Sequence, residues 1–180
     1  VREQPSGVEL GPLEPLLPER LRTPENRIRC ATPEPLADLK RLRAAFTESQ
    51  GDSLRLIGRR HVRSNNSWMH NFHRLMKGKD RCTLMMHPAD ADARGLSSGS
   101  TARINSRVGE LDAIVECSED IMPGVVSLPH GFGHSRPNIR MATAQSNAGV
   151  SCNDLTDHEY LDELSGNAAV NGVPVTVTAA

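Results

Sequence analysis

Residues 59–71 carry the densest run of hydrogen-bonding side chains in this sequence. The run contains three Arg, two His, three Asn, two Ser and the only Trp of the chain. Forked guanidinium donors suit phosphate groups, while Ser and Asn side chains offer donors and acceptors to phosphate oxygens or to a purine edge. A plain surface loop that Trp68 and Met69 anchor to the core explains the composition equally well. Spacing alone therefore leaves both interpretations open.

A second segment with possible chemistry carries His130 and His134, four positions apart. Two His at this spacing can bind a metal ion when both face the same way. Here two glycines separate them, helical periodicity is absent and no carboxylate is nearby, so a metal site is not favoured. A glycine-rich turn that lets a flat ligand approach the backbone agrees better with the segment.

The other reactive side chains do not form a catalytic set. Four cysteines, Cys30, Cys82, Cys117 and Cys152, lie at least 35 residues apart, which argues against a zinc site or a cysteine-held iron–sulfur cluster. Cys82 and Cys117 lie in apolar runs and are expected to be buried free thiols. No nucleophile, base and orienting group occur together, and no glycine-rich phosphate loop is present. We assign no catalytic residue and no metal ligand.

Composition limits the classes of function. The 180 residues are 37% apolar, enough for one core with an appendage. With a formal charge of -1 and a pI of about 6.7, the chain has no overall field that attracts nucleic acid or anionic lipid. No run approaches the roughly 18 apolar residues of a membrane span, and no basic leader precedes an apolar segment. A soluble protein of the cytoplasm is expected.

The rest of the sequence predicts a connector, one longer helix and a set of short strands. Residues 1–31 hold five prolines and predict a connector, whereas residues 32–50 predict an amphipathic helix that covers a core through Leu36, Leu39, Leu42 and Phe46. Residues 51–180 predict short strands and a short helix over 88–94. The predicted strands are 53–58, 82–86, 101–106, 111–117, 125–128 and 173–178. About six short strands indicate a β-rich closed barrel or a sandwich.

Residues 53–178 also resemble a known domain in several blocks that occur in order. These blocks read LIGRR at 56–60, NNSWM at 65–69, HPADA at 87–91 with RGL at 94–96, SRVG at 106–109, PGVVSLPHG at 123–131, and NDLT at 153–156 with SGN at 165–167. Together they resemble the C-terminal dinucleotide-binding domain of the molybdopterin oxidoreductases, the dimethyl sulfoxide reductase superfamily. Formate dehydrogenase-like and BisC-like members look most similar.

The resemblance implies a mainly β fold with short helices, a six-stranded double-psi β-barrel of the aspartate decarboxylase-like type. It also implies that residues 51–180 bind the bis-molybdopterin guanine dinucleotide cofactor. The residues that match the family's binding positions are Gly58, Arg59, Arg60, His61, Ser64, Asn65, Asn66, His130, Asn153 and Asn171. Two positions depart from the family, since Ser100 replaces an Asp and residues 161–164 replace an Asp-Pro pair.

The same resemblance implies that the chain is a C-terminal piece of a longer oxidoreductase and is not catalytic alone. The molybdenum or tungsten, its ligand and any iron–sulfur cluster would then belong to the enzyme's other domains, which would be the partners of this chain. The alternative is a non-enzymatic double-psi barrel adaptor that binds a peptide or protein. The polar density of residues 59–71 argues against an adaptor, because such a groove is expected to be more apolar.

Overall fold

Two compact units make up the chain, Val1–Thr47 and Glu48–Ala180, and the computed structural model describes residues 3–47 and 51–180. In the first unit, residues 3–32 form turns and bends without a helix or strand. Helix α1 (Pro33–Thr47) follows, with Glu34 in its first turn. Proline and an acidic residue both suit a helix start, because the first amides lack partners and carry partial positive charge. The domain limits expected from the sequence stay a prediction.

The apolar side chains of α1 differ from the expectation. Its residues Leu36, Leu39, Leu42 and Phe46 are 52%, 39%, 49% and 82% exposed, and the helix has no buried residue. Periodicity shows which residues share a face but not whether another element covers it. The predicted burial of this face is therefore not observed.

Six strands of the second unit close into a barrel. They are β1 (Leu54–Arg59), β2 (Thr83–Met86), β3 (Thr101–Asn105), β4 (Glu110–Cys117), β5 (Val125–Pro129) and β6 (Val173–Ala179). Hydrogen-bonded neighbours follow the order β1-β5-β2-β4-β3-β6 around the closed barrel. The pairs β1–β5 and β2–β4 are parallel and the other pairs are antiparallel. This topology confirms the predicted mainly β double-psi barrel.

Alternation of apolar and polar residues forms the barrel core. In β6, Val173, Val175 and Val177 are buried while the residues between them are exposed, as expected for a strand with one face inward. Strand β5 is buried along nearly all its length. The largest wholly buried apolar side chains include Leu84 and Met86, and each such side chain stabilises the fold by about 1.5–3 kcal/mol.

Short helices fill the connections between strands. They are α2 (His73–Met76), α3 (Pro88–Asp92), α4 (Ala142–Ser146) and a 3₁₀ helix (Cys152–Leu155). Helix α3 ends at Asp92, two residues earlier than predicted, and residues 93–95 form a turn. As expected, Gly95 terminates this segment at φ +65°, and the Leu96 amide donates back to the Ala91 carbonyl at 2.9 Å. Among the described residues, no helix is both long and apolar enough to cross a membrane.

The parallel pairing of β1 with β5 positions the site. Gly58 lies opposite Leu128, and Arg59 lies opposite Pro129. Both strands therefore end at the same edge of the barrel, since parallel strands run in the same direction. Two segments leave the barrel side by side there: residues 60–72, called the polar loop, and residues 130–134, called the glycine turn.

Candidate functional site

Three residues that are far apart in the sequence meet where β1 ends. The Gly58 amide donates to Oδ1 of Asn171 at 2.8 Å, and the His130 amide donates to the Arg59 carbonyl at 3.0 Å. A Cβ atom on Gly58 would lie 2.3 Å from Nε2 of His130, so the imidazole rests directly on the glycine backbone. Only a residue without a side chain lets this ring lie so close.

A second contact brings Asn153 to the same edge. Nδ1 of His130 lies 3.7 Å from Sγ of Cys152, and that sulfur lies 3.9 Å from Oδ1 of Asn153. Burial raises the pKa of the Cys152 thiol, so the residue remains a neutral thiol and is not an activated nucleophile. Burial, followed by the charge of Arg60, lowers the pKa of His130, which keeps its ring neutral near pH 7.

Two Asn residues of the polar loop have a left-handed backbone conformation. Asn65 and Asn66 have φ of +43° and +62°, a region that Asn tolerates better than most residues do. The loop packs on the glycine turn, because a Cβ atom on Gly131 would lie 2.3 Å from the Asn66 carbonyl oxygen. The Arg60 guanidinium donates to Oδ1 of Asn66.

A groove of about 450 Å³ opens along this loop and is lined by Arg60, His61, Val62, Asn65 and Asn66. Burial is the main cause that lowers the pKa of His61, and the charges of Arg81, Arg63 and Arg59 lower it further. The His61 ring is therefore neutral near pH 7, and arginines supply the positive charge. Guanidinium and amide donors beside an open groove suit an anionic, hydrogen-bonding ligand.

Two of the ten expected site residues direct their side chains into the protein. The Arg59 guanidinium donates to the carbonyls of Ser127 and Thr83, the latter at 2.7 Å. The Thr83 hydroxyl in turn donates to Glu116 at 2.5 Å. Ser64 is 4% exposed, and its hydroxyl donates to a carbonyl within the polar loop at 3.0 Å. Any ligand contact from Arg59 or Ser64 would therefore come from the backbone.

The interpretation of Trp68 as an anchor is wrong. Its side chain is 77% exposed, whereas Ser64 and His70 are 4% and 0% exposed. Nδ1 of His70 lies 2.6 Å from Nε2 of His134. The buried residues that anchor the loop are thus the polar residues Ser64 and His70. Composition alone does not show whether such a polar residue anchors a loop or binds a ligand.

The expected site residues are therefore only partly brought together. Around the end of β1 and the groove lie Gly58, Arg60, His61, Asn65, Asn66, His130, Asn153 and Asn171. Sequence reasoning missed Cys152 and the Thr83–Glu116 link, since single polar residues in apolar runs carry no pattern. Among the described residues, no group of three His, Cys, Asp or Glu side chains is arranged to hold a metal ion. The cofactor contacts of the site residues stay predictions.

Comparisons with known proteins show which family and relatives this chain resembles. The family model for the molydopterin dinucleotide binding domain matches residues 54–174. A tetrathionate reductase subunit of Salmonella typhimurium is 27% identical over 121 residues, covering 58% of this chain and 12% of that protein. The molybdopterin-containing ArrA subunit of the arsenate respiratory reductase of Chrysiogenes arsenatis is 29% identical over 117 residues, covering 61% of this chain and 13% of that protein.

A solved structure shows a similar fold. Acetylene hydratase from Pelobacter acetylenicus superposes with a TM-score of 0.60 at 17% identity, covering 81% of this chain and 20% of that one. The chain thus spans only about an eighth of the length of the two curated relatives.

Proposed function

The chain belongs to the family of molydopterin dinucleotide binding domains, and from this we propose that its polar loop and glycine turn hold the guanine nucleotide part of bis-molybdopterin guanine dinucleotide. The observation that carries the proposal is the convergence at the end of β1. There Gly58 contacts both His130 and Asn171, and the groove beside it is lined by Arg60 and Asn66.

The donor set fits this cofactor. Phosphates bind well to arginine and to amide N–H groups, and Asn side chains can pair with a purine edge. Arg60 and Asn66 already form a hydrogen bond across the groove wall, so both side chains face a common space. A groove of about 450 Å³ lies within the roughly 300–1,000 Å³ typical of ligand sites.

The protein and the cofactor have separate tasks in this proposal. When bound, the cofactor supplies the molybdenum or tungsten at which electrons are exchanged with a substrate. This chain's own residues bind and orient the nucleotide. Arg60 offsets phosphate charge, Asn65 and Asn66 accept and donate hydrogen bonds, and Asn171 fixes the backbone of Gly58.

We also propose that this domain works within a larger oxidoreductase. Its curated relatives include subunits of a tetrathionate reductase and of an arsenate respiratory reductase, of which it spans 12% and 13%. The other domains of such an enzyme would be its partners and would supply the metal ligand and any iron–sulfur cluster. A location in the cytoplasm stays a prediction. No observation favours the adaptor alternative.

Titration of the ¹⁵N-labelled chain with GDP tests the proposed site. We expect amide shifts to concentrate at residues 58–66, 130–131, 153 and 171. Removal of one charge-assisted contact costs about 1.5–3 kcal/mol, so Arg60→Ala should weaken GDP binding by about tenfold or more. Arg103→Ala is the matched control, because Arg103 pairs with Asp112 at 2.9 Å on the β3–β4 hairpin. Shifts scattered over the surface, or equal effects of both variants, would refute the site.

A further inference from the structure

His70 and His134 form a buried pair that none of the cofactor contacts uses. Nδ1 of His70 lies 2.6 Å from Nε2 of His134, and the two residues are 0% and 7% exposed. The His70 ring also packs on Phe132, with centroids 4.4 Å apart. Buried polar rings are costly unless they are hydrogen-bonded, so this pair has a defined geometry.

The neighbours of the pair determine where its protons lie. An interaction with the Gly131 backbone acts to raise the pKa of His134, as a carbonyl acceptor does. Because Nε2 of His134 faces His70, this interaction favours the tautomer of His134 with its proton on Nδ1. Nε2 of His134 then accepts from Nδ1–H of His70, and Nε2 of His70 is buried without a hydrogen-bond partner.

The pair connects the two segments that form the proposed site. His70 lies in the polar loop and His134 ends the glycine turn, whose amides at Gly133 and His134 both donate to the Ala148 carbonyl at 2.8 and 3.1 Å. Between them, the loop backbone at Asn66 meets Gly131 so closely that a Cβ atom there would clash. A single side-chain bond therefore ties both segments together behind their ligand-facing surface.

We propose that His70 and His134 are positioning residues for nucleotide binding, whose N–H···N hydrogen bond holds the polar loop against the glycine turn. The inference rests on the proposed function, because it concerns the same site. The bond keeps Asn65 and Asn66 in place without contacting the ligand. Asn71, at the other end of the loop, accepts from the Thr143 and Ala144 amides of helix α4 at 3.1 and 3.4 Å, so the His70–His134 bond is the side-chain bond that acts toward the glycine turn.

Burial favours the form of the pair in which both rings are neutral. A proton on Nε2 of His134 removes the acceptor, and a proton on Nε2 of His70 places a charge where the structure shows no partner. Burial, then the charge of His134, lowers the pKa of His70, and burial lowers that of His134. The stabilising effect of the neutral pair is therefore fully present above the ordinary pKa of 6.5 and declines as the pH falls through the lowered values.

The charged groups on the elements around the pair do not stabilise a protonated ring. Phe132, which packs on His70, also lines a small cavity, and the other titratable residues that line this cavity are His61, Arg63 and Arg81. Helix α2 contributes His73 and Arg74, and helix α4 carries no charged residue. In residues 3–47 and 51–180, no carboxylate is among the causes that shift the pKa of either ring.

Hydrogen exchange of the whole chain tests the positioning role without any ligand. The Asn65 and Met69 amides donate within the loop to the His61 and Ser64 carbonyls, at 3.2 and 3.0 Å. His70→Phe keeps a ring but removes the donor, and we expect exchange at both amides to accelerate by about tenfold or more. His73→Phe makes the same change at an exposed position near the loop and should leave both rates unchanged.

A second variant distinguishes the hydrogen bond from simple packing. His70→Asn places an amide N–H near the position of Nδ1, so it should restore slow exchange although it fills less space. His134 still titrates in this variant, but the Asn amide can accept from a protonated ring as well as donate to a neutral one. The fall in exchange protection that we expect for the wild-type chain between about pH 7 and pH 5 should therefore become smaller. Equal protection in His70→Phe and His73→Phe overturns the proposal. So does flat protection in the wild-type chain over that range, a result that remains decisive if His70→Phe does not fold.

GDP titration connects the pair to the site. His70→Phe should raise the Kd for GDP by about tenfold, and His70→Asn should return it to within about twofold of wild type. Unchanged GDP affinity in a His70→Phe chain with accelerated exchange overturns the positioning role. Absence of GDP shifts at the loop of the wild-type chain instead refutes the proposed function, and the exchange experiment still decides whether the pair holds the loop.

Discussion

Replacement of Gly58 by Ala tests the close contact at the end of β1. The added Cβ would lie 2.3, 2.8 and 3.2 Å from Nε2, Cδ2 and Cε1 of His130, well inside ordinary contact distance. Rotation of the imidazole away from the new methyl group would break the contact of its Nδ1 with Sγ of Cys152 at 3.7 Å. Overpacking of this kind costs about 1–3 kcal/mol.

The φ of Gly58 is not positive, so backbone strain adds nothing to this cost. Gly58→Ala should lower the free energy of unfolding by about 1–3 kcal/mol in urea denaturation, with an unchanged slope. It should also weaken GDP binding, because a displaced His130 disturbs the proposed site.

A double-mutant cycle tests whether the loss of stability in Gly58→Ala comes from the clash with His130. In a His130→Ala background the clash is absent, so Gly58→Ala should be neutral or should stabilise the strand by up to about 1 kcal/mol. The coupling free energy between the two positions should therefore be at least about 1 kcal/mol. Additive effects, or a Gly58→Ala chain as stable as wild type, would refute the reasoning.

Three further predictions concern single interactions. Asn171→Ala removes the acceptor of the Gly58 amide and should lower the free energy of unfolding by about 1 kcal/mol. The control is Asn167→Ala in the same loop, and equal urea midpoints for the two variants would contradict the prediction. The Arg107 guanidinium lowers the pKa of Asp157 from 3.8 to about 2. The stabilising effect of this ion pair is therefore present above pH 3.8 and is lost as the pH falls through about 2. Carbon-detected NMR titration should show a midpoint for Asp157 at about 2, and Arg107→Gln should raise that midpoint. Burial raises the pKa of Cys82 to about 11, so iodoacetamide at about pH 8 should modify the exposed Cys30 much faster than Cys82. Comparable modification rates of the two cysteines in peptide mapping would contradict the burial of Cys82.

The strands were largely predictable from the sequence because their signal is local. Alternation at Val173, Val175 and Val177 predicts one buried face whatever the strand's neighbours are, and the structure buries all three. The apolar period of α1 was equally visible, but Leu36 and Phe46 are exposed. Periodicity defines a face, whereas its burial depends on surfaces elsewhere in the chain.

The sequence predicted which residues form the site but not the direction in which each side chain points. Family resemblance identified His130 and Asn171 as partners of the polar loop, and the structure places both at Gly58. It did not indicate that the Arg59 side chain binds carbonyls of neighbouring strands, because the register of β1 against β5 depends on residues about 70 positions away.

Local patterns in the sequence predicted the six strands and the polar loop after β1, and family resemblance predicted the cofactor-binding domain. The directions of the loop side chains depend on the fold, which buries His70 on His134 and leaves Trp68 exposed. The physical reason is that a strand has a period of two that fixes the direction of each side chain. A loop with left-handed residues has no such period, so its side chains take their directions from segments that the fold brings beside it.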